Sequence, residues 1–206
     1  MKPAVQCEYA AKKGFAALGM ISRGFHYRSK STLLPLYKTF VRPKLEYAVA
    51  AWAPWTEKDK GALEAVQQRM VRMVTNVRGD SYEEKLADLG ITTLEERRRR
   101  GDLIEAFKTV KGINKVDKHT WFPLQMVEAG RMTRKNAIIV DGDAQRSDVM
   151  EKVRFQKDVC KNFYSVRVAD GWNGLPAEVR DQKSVNAFKN ALDRYVAKEK
   201  LLEQNP

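Results

Sequence analysis

The residues able to do chemistry are few. Two histidines, His26 and His119, each stand alone, and two cysteines, Cys7 and Cys160, lie far apart. A zinc site needs several such ligands at short, defined spacing, and this pattern supplies none. Nor do the cysteines form a disulfide framework, so a reducing compartment, nucleus or cytoplasm, fits best. Paired divalent ions, as in polymerases and nucleases, need clustered carboxylates. The candidates Asp102, Asp141, Asp143 and Asp148 fall on different predicted elements or in a polar loop. Asp141-Gly142-Asp143 lacks the later ligands and terminal glutamate of a calcium loop and reads as a turn. No GxxxxGK run precedes a helix. The expectation is a chain without catalysis, metal or cofactor.

Basic residues carry the stronger signal. Of 206 residues, 38 are Lys or Arg and 26 Asp or Glu, a formal charge of +12 that favours an anionic partner. Residues 1–50 hold Lys2, Lys12, Lys13, Arg23, Arg28, Lys30, Lys38, Arg42 and Lys44 against only Glu8 and Glu46. There the cations interleave with aromatics: His26, Tyr27, Arg28 and Lys30, then Tyr37, Lys38, Arg42 and Lys44. Phosphate contact needs exposed Arg or Lys on one face and no fixed spacing. Tyr27 is placed to stack on a base, whereas Tyr37, amid Leu33, Leu36 and Phe40, reads as core.

The conspicuous run Arg97 to Arg100 offers less than its density suggests. Successive helical residues point about 100° apart, so only Arg97 and Arg100 share a face. Glu95 with Arg99 and Glu96 with Arg100 have the spacing of helical ion pairs. The candidate nucleic-acid-binding set is therefore Arg23, His26, Tyr27, Arg28, Lys30, Lys38, Arg42, Lys44, Arg97 and Arg100, with RNA or DNA as partner. A scaffold role competes at some of these positions. Arg42 and Glu46 are spaced to pair with each other, and Asp102 to anchor an arginine from a neighbouring helix.

The elements that must position these groups are mainly helices. Val5, Tyr9, Phe15, Leu18 and Ile21 recur at helical spacing up to Gly24. Ser29 or Ser31 caps a segment with Leu33, Leu36, Tyr37, Phe40, Leu45, Val49 and Trp52 on one apolar face, kinked or split by Pro43 at Arg42. Thr56 and Asp59 open a third helix, with Leu63, Val66, Met70 and Met73 inward. Ser81 caps a short helix that Gly90 ends. Thr92 or Thr93 caps a fifth, buried along Leu94, Leu103, Ile104, Phe107 and Val110. After Gly112 the texture loosens around one β-prone run, Ala137 to Val140. Helical pattern returns through Val159, Phe163, Val166 and Val168, then from Ser184 through Val185, Phe188, Leu192 and Val196.

The predicted fold class is mainly α. A multi-helix domain spans residues 1–112, an irregular connection with a short hairpin spans 113–155, and C-terminal helices at 156–206 pack on the first domain. No apolar run has the length of a membrane span or a signal-peptide core.

Four phrases, in order from about Ala10 to Tyr195, resemble one family: "LLPLYKTFVRPKLEYAVAAWAPW", "LEAVQQRMVRMV", "SYEEKLADLGITTLEERRRRGDLIEAFKTVKG" and "FYSVRVADGWNGLPAEVRDQKSVNAFKNALDRY". They look like the segment following the palm in reverse transcriptases of non-LTR retrotransposons, of the jockey and chicken-repeat kind. The resemblance implies a helical thumb that holds a template–primer duplex, without the palm and its catalytic aspartates. Matching positions include Tyr37, Arg42, Pro43, Glu46, Asp59, Glu64, Gln67, Arg69, Tyr82, Arg97, Arg98, Asp102 and Trp172. The chain departs from the family at "QQRMVRMV", less basic than is typical, and at the acids of "DAQRSDVMEKVRF". The alternative expectation is a domesticated, retrotransposon-derived module that binds protein or a second copy of itself. Met70, Met73 and Val74 would be its adaptable contact surface.

Overall fold

The computed structural model describes residues 3–117, 121–122, 124–126, 146–151 and 162–204, with backbone alone at 124–126, 146–148 and 203–204. His119, Asp141, Asp143, Cys160, Val159 and the run Ala137 to Val140 lie outside the described residues, as does the side chain of Asp148. The fold is mainly α, a multi-helix bundle. It comprises two compact units, Met1–Arg100 and Gly101–Pro206. The division falls within a helix, whereas the sequence texture changes only at Gly112.

In the first unit, α1 (Pro3–Gly24) and α5 (Glu57–Met73) form the largest pairing. They run parallel. The Cys7 thiol feels the charge of Asp59, Gly14 faces Val66, and Leu18 and Ser22 share a cleft with Arg69 and Met73. The buried stripe of α1 is Cys7, Ala10, Ala11, Gly14, Ala17, Leu18 and Ile21, mostly small. This corrects the predicted stripe, because Val5, Tyr9 and Phe15 are exposed. Small side chains let the two backbones approach. A Cβ on Gly14 would lie 2.9 Å from both Leu45 Cδ2 and Val66 Cγ1.

The chain between them is broken as proline dictates. Helix α2 (Lys30–Leu36) continues into a π-helical turn (Tyr37–Val41) and then α3 (Arg42–Glu46). Pro43 has no N–H to donate and its ring crowds the preceding turn, so the ladder widens just upstream of it. Phe40, in that widened turn, points outward and is 56% exposed, against the predicted apolar face. Ala48 then takes a left-handed conformation, φ 51°, before the short α4 (Val49–Trp52).

Helix α6 (Tyr82–Leu89) carries a full Ser81/Glu84 capping box and ends at Gly90, φ 66°. Helix α7 (Leu94–Val110) starts in this unit, with Thr93 Oγ1 accepting from Glu96 N at 3.2 Å. Met70, Met73 and Val74 are all buried here, so they form no exposed docking patch.

The second unit packs Leu103, Ile104, Phe107 and Val110 of α7 with α8 (Tyr164–Asn173), α9 (Ala177–Arg180) and α10 (Val185–Gln204). Phe107 and Phe188 stack at 4.3 Å, and Trp172 is fully buried beside them. Phe163 precedes α8 and Val196 lies late in α10, and both are exposed. Strands β1 (Leu124–Met126) and β2 (Arg146–Met150) pair antiparallel. The Asn173 side chain exchanges two 2.9 Å hydrogen bonds with the Met150 backbone.

Candidate nucleic-acid interface

Helix α1 ends at Gly24, and the five residues Phe25 to Ser29 carry His26, Tyr27 and Arg28 into solvent. The loop is anchored at one point. Thr75, just past α5, donates to the Arg28 carbonyl through its N–H at 2.8 Å and its hydroxyl at 3.2 Å. Arg28 Nη2 donates back to Ser22 Oγ at 3.2 Å, which lays the guanidinium along the end of α1. Ser29 is the cap of α2, its hydroxyl accepting from Thr32 N at 3.3 Å. Lys30 Nζ donates to the Asp88 carbonyl at the end of α6. Lys30 and Lys38 together line an open cleft of about 620 Å³ with Ser29, Ser31, Leu34 and Pro35.

Arg23, His26, Tyr27, Arg28, Lys30, Lys38 and Lys44 are all exposed. Among the described residues no carboxylate pairs with the cations Arg23, Arg28, Lys30, Lys38 or Lys44.

The arginine run behaves differently. Arg97 makes a bidentate pair with Glu46, Nε to Oε1 at 2.6 Å and Nη2 to Oε2 at 3.2 Å. Arg42 Nε lies 3.8 Å from the same carboxylate. Both are half-buried and spent on the scaffold. Glu95 binds Lys60 at 2.7 Å, a correction to the expected pairing with Arg99. That contact, with a second from Glu57, pushes the Lys60 ammonium above its ordinary pKa. Arg98 is only 8% exposed, its Nη1 is buried without a hydrogen-bond partner, and burial pulls its pKa down. Arg100 is half-buried. Asp102 sits on α7 and grips Arg167 of α8 through two bonds of 3.0 and 3.1 Å, the anchoring role the sequence allowed.

Beside Glu46 lies a buried polar network. Gln67 accepts from Tyr37 Oη at 2.7 Å and donates to Glu64, Tyr82 and the Thr92 carbonyl. Tyr82 Oη donates to Glu64 Oε1 at 2.6 Å, and Glu64 Oε2 accepts from Leu94 N at 2.9 Å. Glu64 thus satisfies an orphan donor at the start of α7. Burial, with nearby carboxylates, pushes the phenols of Tyr37 and Tyr82 well above their usual range. Every member is satisfied by another. The network positions α7.

No family model, curated protein or solved structure matches this chain.

Among the described residues, no three metal-ligating side chains converge, and no helix is long and apolar enough to cross a membrane. Ser22, Thr75 and Asp88 shape the basic face without having been predicted. Their partners lie 6, 47 and 58 residues away, and no local pattern marks such contacts.

Proposed function

We propose that the chain is a non-catalytic module that holds duplex or structured RNA or DNA by its phosphate backbone, through the face running from Arg23 to Lys44. One observation carries this reading. Arg23, Arg28, Lys30, Lys38 and Lys44 are exposed and have no acid partner among the described residues, whereas Arg42 and Arg97 are engaged by Glu46. Uncompensated positive charge is tolerated where an anion is to be met. The likeness of the chain to the post-palm segment of a retrotransposon reverse transcriptase supports the same reading, and the reading carries with it a nuclear or cytoplasmic setting, where nucleic acid is found.

Labelled RNA–DNA hybrid, duplex DNA and single-stranded RNA, titrated at two salt concentrations, test it. Binding should show little sequence preference, and log K should fall with log salt with a slope of about −3 to −5 for a handful of phosphate contacts. No binding to any of the three at low salt would end the proposal.

The second reading is a protein-interaction or regulatory module. It draws on Phe40 and Tyr47, exposed at 56% and 79% beside α3. A single protein recovered by pull-down after nuclease treatment, with no affinity for nucleic acid, would favour it.

A further inference from the structure

The parallel pairing of α1 and α5 leaves a half-enclosed cleft of about 380 Å³ at their C-terminal ends, lined by Phe15, Leu18, Gly19, Ser22, Arg23, Arg69 and Met73. Its two sides differ in chemistry. Phe15, 43% exposed, and the buried Leu18 and Met73 give an apolar wall. Arg23 and Arg69 give two cations. Gly19 has no side chain to obstruct this arrangement. Arg23 Nη1 lies 3.6 Å from where a Cβ on Gly19 would stand, so the guanidinium folds back over the helix beside the cleft. No acid lines the cleft, and neither Arg23 nor Arg69 makes an ion pair among the described residues. Two guanidinium groups lining one cleft without a carboxylate repel one another, and an anion relieves that repulsion.

We infer that this cleft takes one nucleotide of a single strand, its phosphate between Arg23 and Arg69 and its base against Phe15. The inference rests on the proposed function and adds to it a preference. An aromatic face stacks on any base that is unpaired and splayed out, with little regard to sequence. A base held within a duplex cannot enter a cleft closed on one side by Leu18 and Met73. Cavities of a few hundred cubic ångströms suit one such planar group with its phosphate. Arg69 is the residue that sequence reasoning left out of the binding set. The phrase around it is less basic than is typical of the resembled family, and only the packing of α5 along α1 brings it into the cleft that Arg23 lines.

The test is a comparison of one labelled 12-mer, single-stranded or annealed to its complement, on the full chain. Thermal melts check that each variant is folded. Phe15→Ala should weaken single-strand binding about tenfold, the loss of one base stack, and leave the duplex within about twofold. Arg69→Ala should weaken the single strand and lower its salt slope by about 0.7. Gly19→Leu, which fills the cleft, should act as Phe15→Ala does. If the three variants bind the single strand like the wild type while Arg28→Ala weakens both forms, the cleft assignment is overturned and the proposed function stands. If neither form binds at low salt, both fail. If Arg69→Ala weakens both forms equally and Phe15→Ala neither, the site is a phosphate contact only, and the nucleotide assignment is wrong. Displacement of the strand by anionic phospholipid vesicles as readily as by unlabelled strand would likewise overturn it.

Discussion

Two basic regions of the first unit make opposite use of the same side chains. Between Arg23 and Lys44 the cations are spread among aromatics and small polar residues, and among the described residues only Arg42 has found an acid. At Arg97 to Arg100 the charge is densest in sequence, yet Arg97 is held by Glu46 and Arg98 is buried. The difference teaches that linear charge density measures little. What counts is whether the fold delivers a carboxylate, and Glu46 arrives from 51 residues away.

The sharpest way to break this contrast is to empty one side of it. Replacing Arg23, Arg28 and Lys30 together with alanine should lower nucleic-acid affinity more than tenfold and the salt slope by about two, with melting little changed. Filter-binding or anisotropy titrations at several salt concentrations measure both. The mirror experiment is Arg97→Ala. It should leave affinity within about twofold but cost about 1–2 kcal/mol in denaturant unfolding, because a half-buried bidentate pair is lost. If Arg97→Ala abolishes binding and the triple variant does nothing, the contrast is inverted.

A smaller effect sharpens it. Glu46→Gln removes the charge that occupies both Arg42 and Arg97, so affinity should rise about threefold even as stability falls. The smallest effect concerns an acid engaged by backbone instead of arginine. The Glu84 carboxylate accepts from the N–H groups of Asp80 and Ser81, which hold it below its ordinary value of 4.5. A folded-state value below the unfolded one gives stability that is complete above pH 4.5 and lost as pH falls through the lower folded value. Glu84→Gln, which keeps an acceptor but not the titration, should flatten that acid limb in thermal melts taken at stepwise lower pH.

The helices were legible wherever the signal is local. Thr56, Ser81 and Gly90 mark the ends they were read to mark, and Leu63, Val66, Leu94 and Phe107 point inward as their spacing requires. The pattern along the chain misleads where burial depends on a partner. Val5 and Phe15 share a helical period with Leu18, but α1 buries its small-residue face because α5 approaches too closely for a large one. Phe40 leaves the predicted apolar face because a π turn rotates the residues upstream of Pro43. Met70 and Met73 share the inward stripe of their helix, and the structure keeps them there, which removes the contact surface that the alternative reading assigned to them. Of the interface, the exposed loop at His26 and Tyr27 was legible from its composition. The Glu46 clasp on Arg97 and the approach of Arg69 to Arg23 were not, because each joins distant points of the chain.

The parallel course of α1 and α5 also governs the order in which the first unit can assemble. Antiparallel helices meet across a short turn, but parallel ones require the intervening chain, here α2 to α4, to run back the length of the pair. Every contact that buries α1 against α5 closes a loop of about fifty residues, and such contacts form late because their loop entropy must be met first. A nascent α1, with alanines and a glycine on its inward face, has little apolar area to collapse on its own. Its amide protons should therefore gain protection after those of α6, whose capping box closes within the four residues Ser81 to Glu84. Pulse-labelled hydrogen exchange during refolding would place the two helices in that sequence.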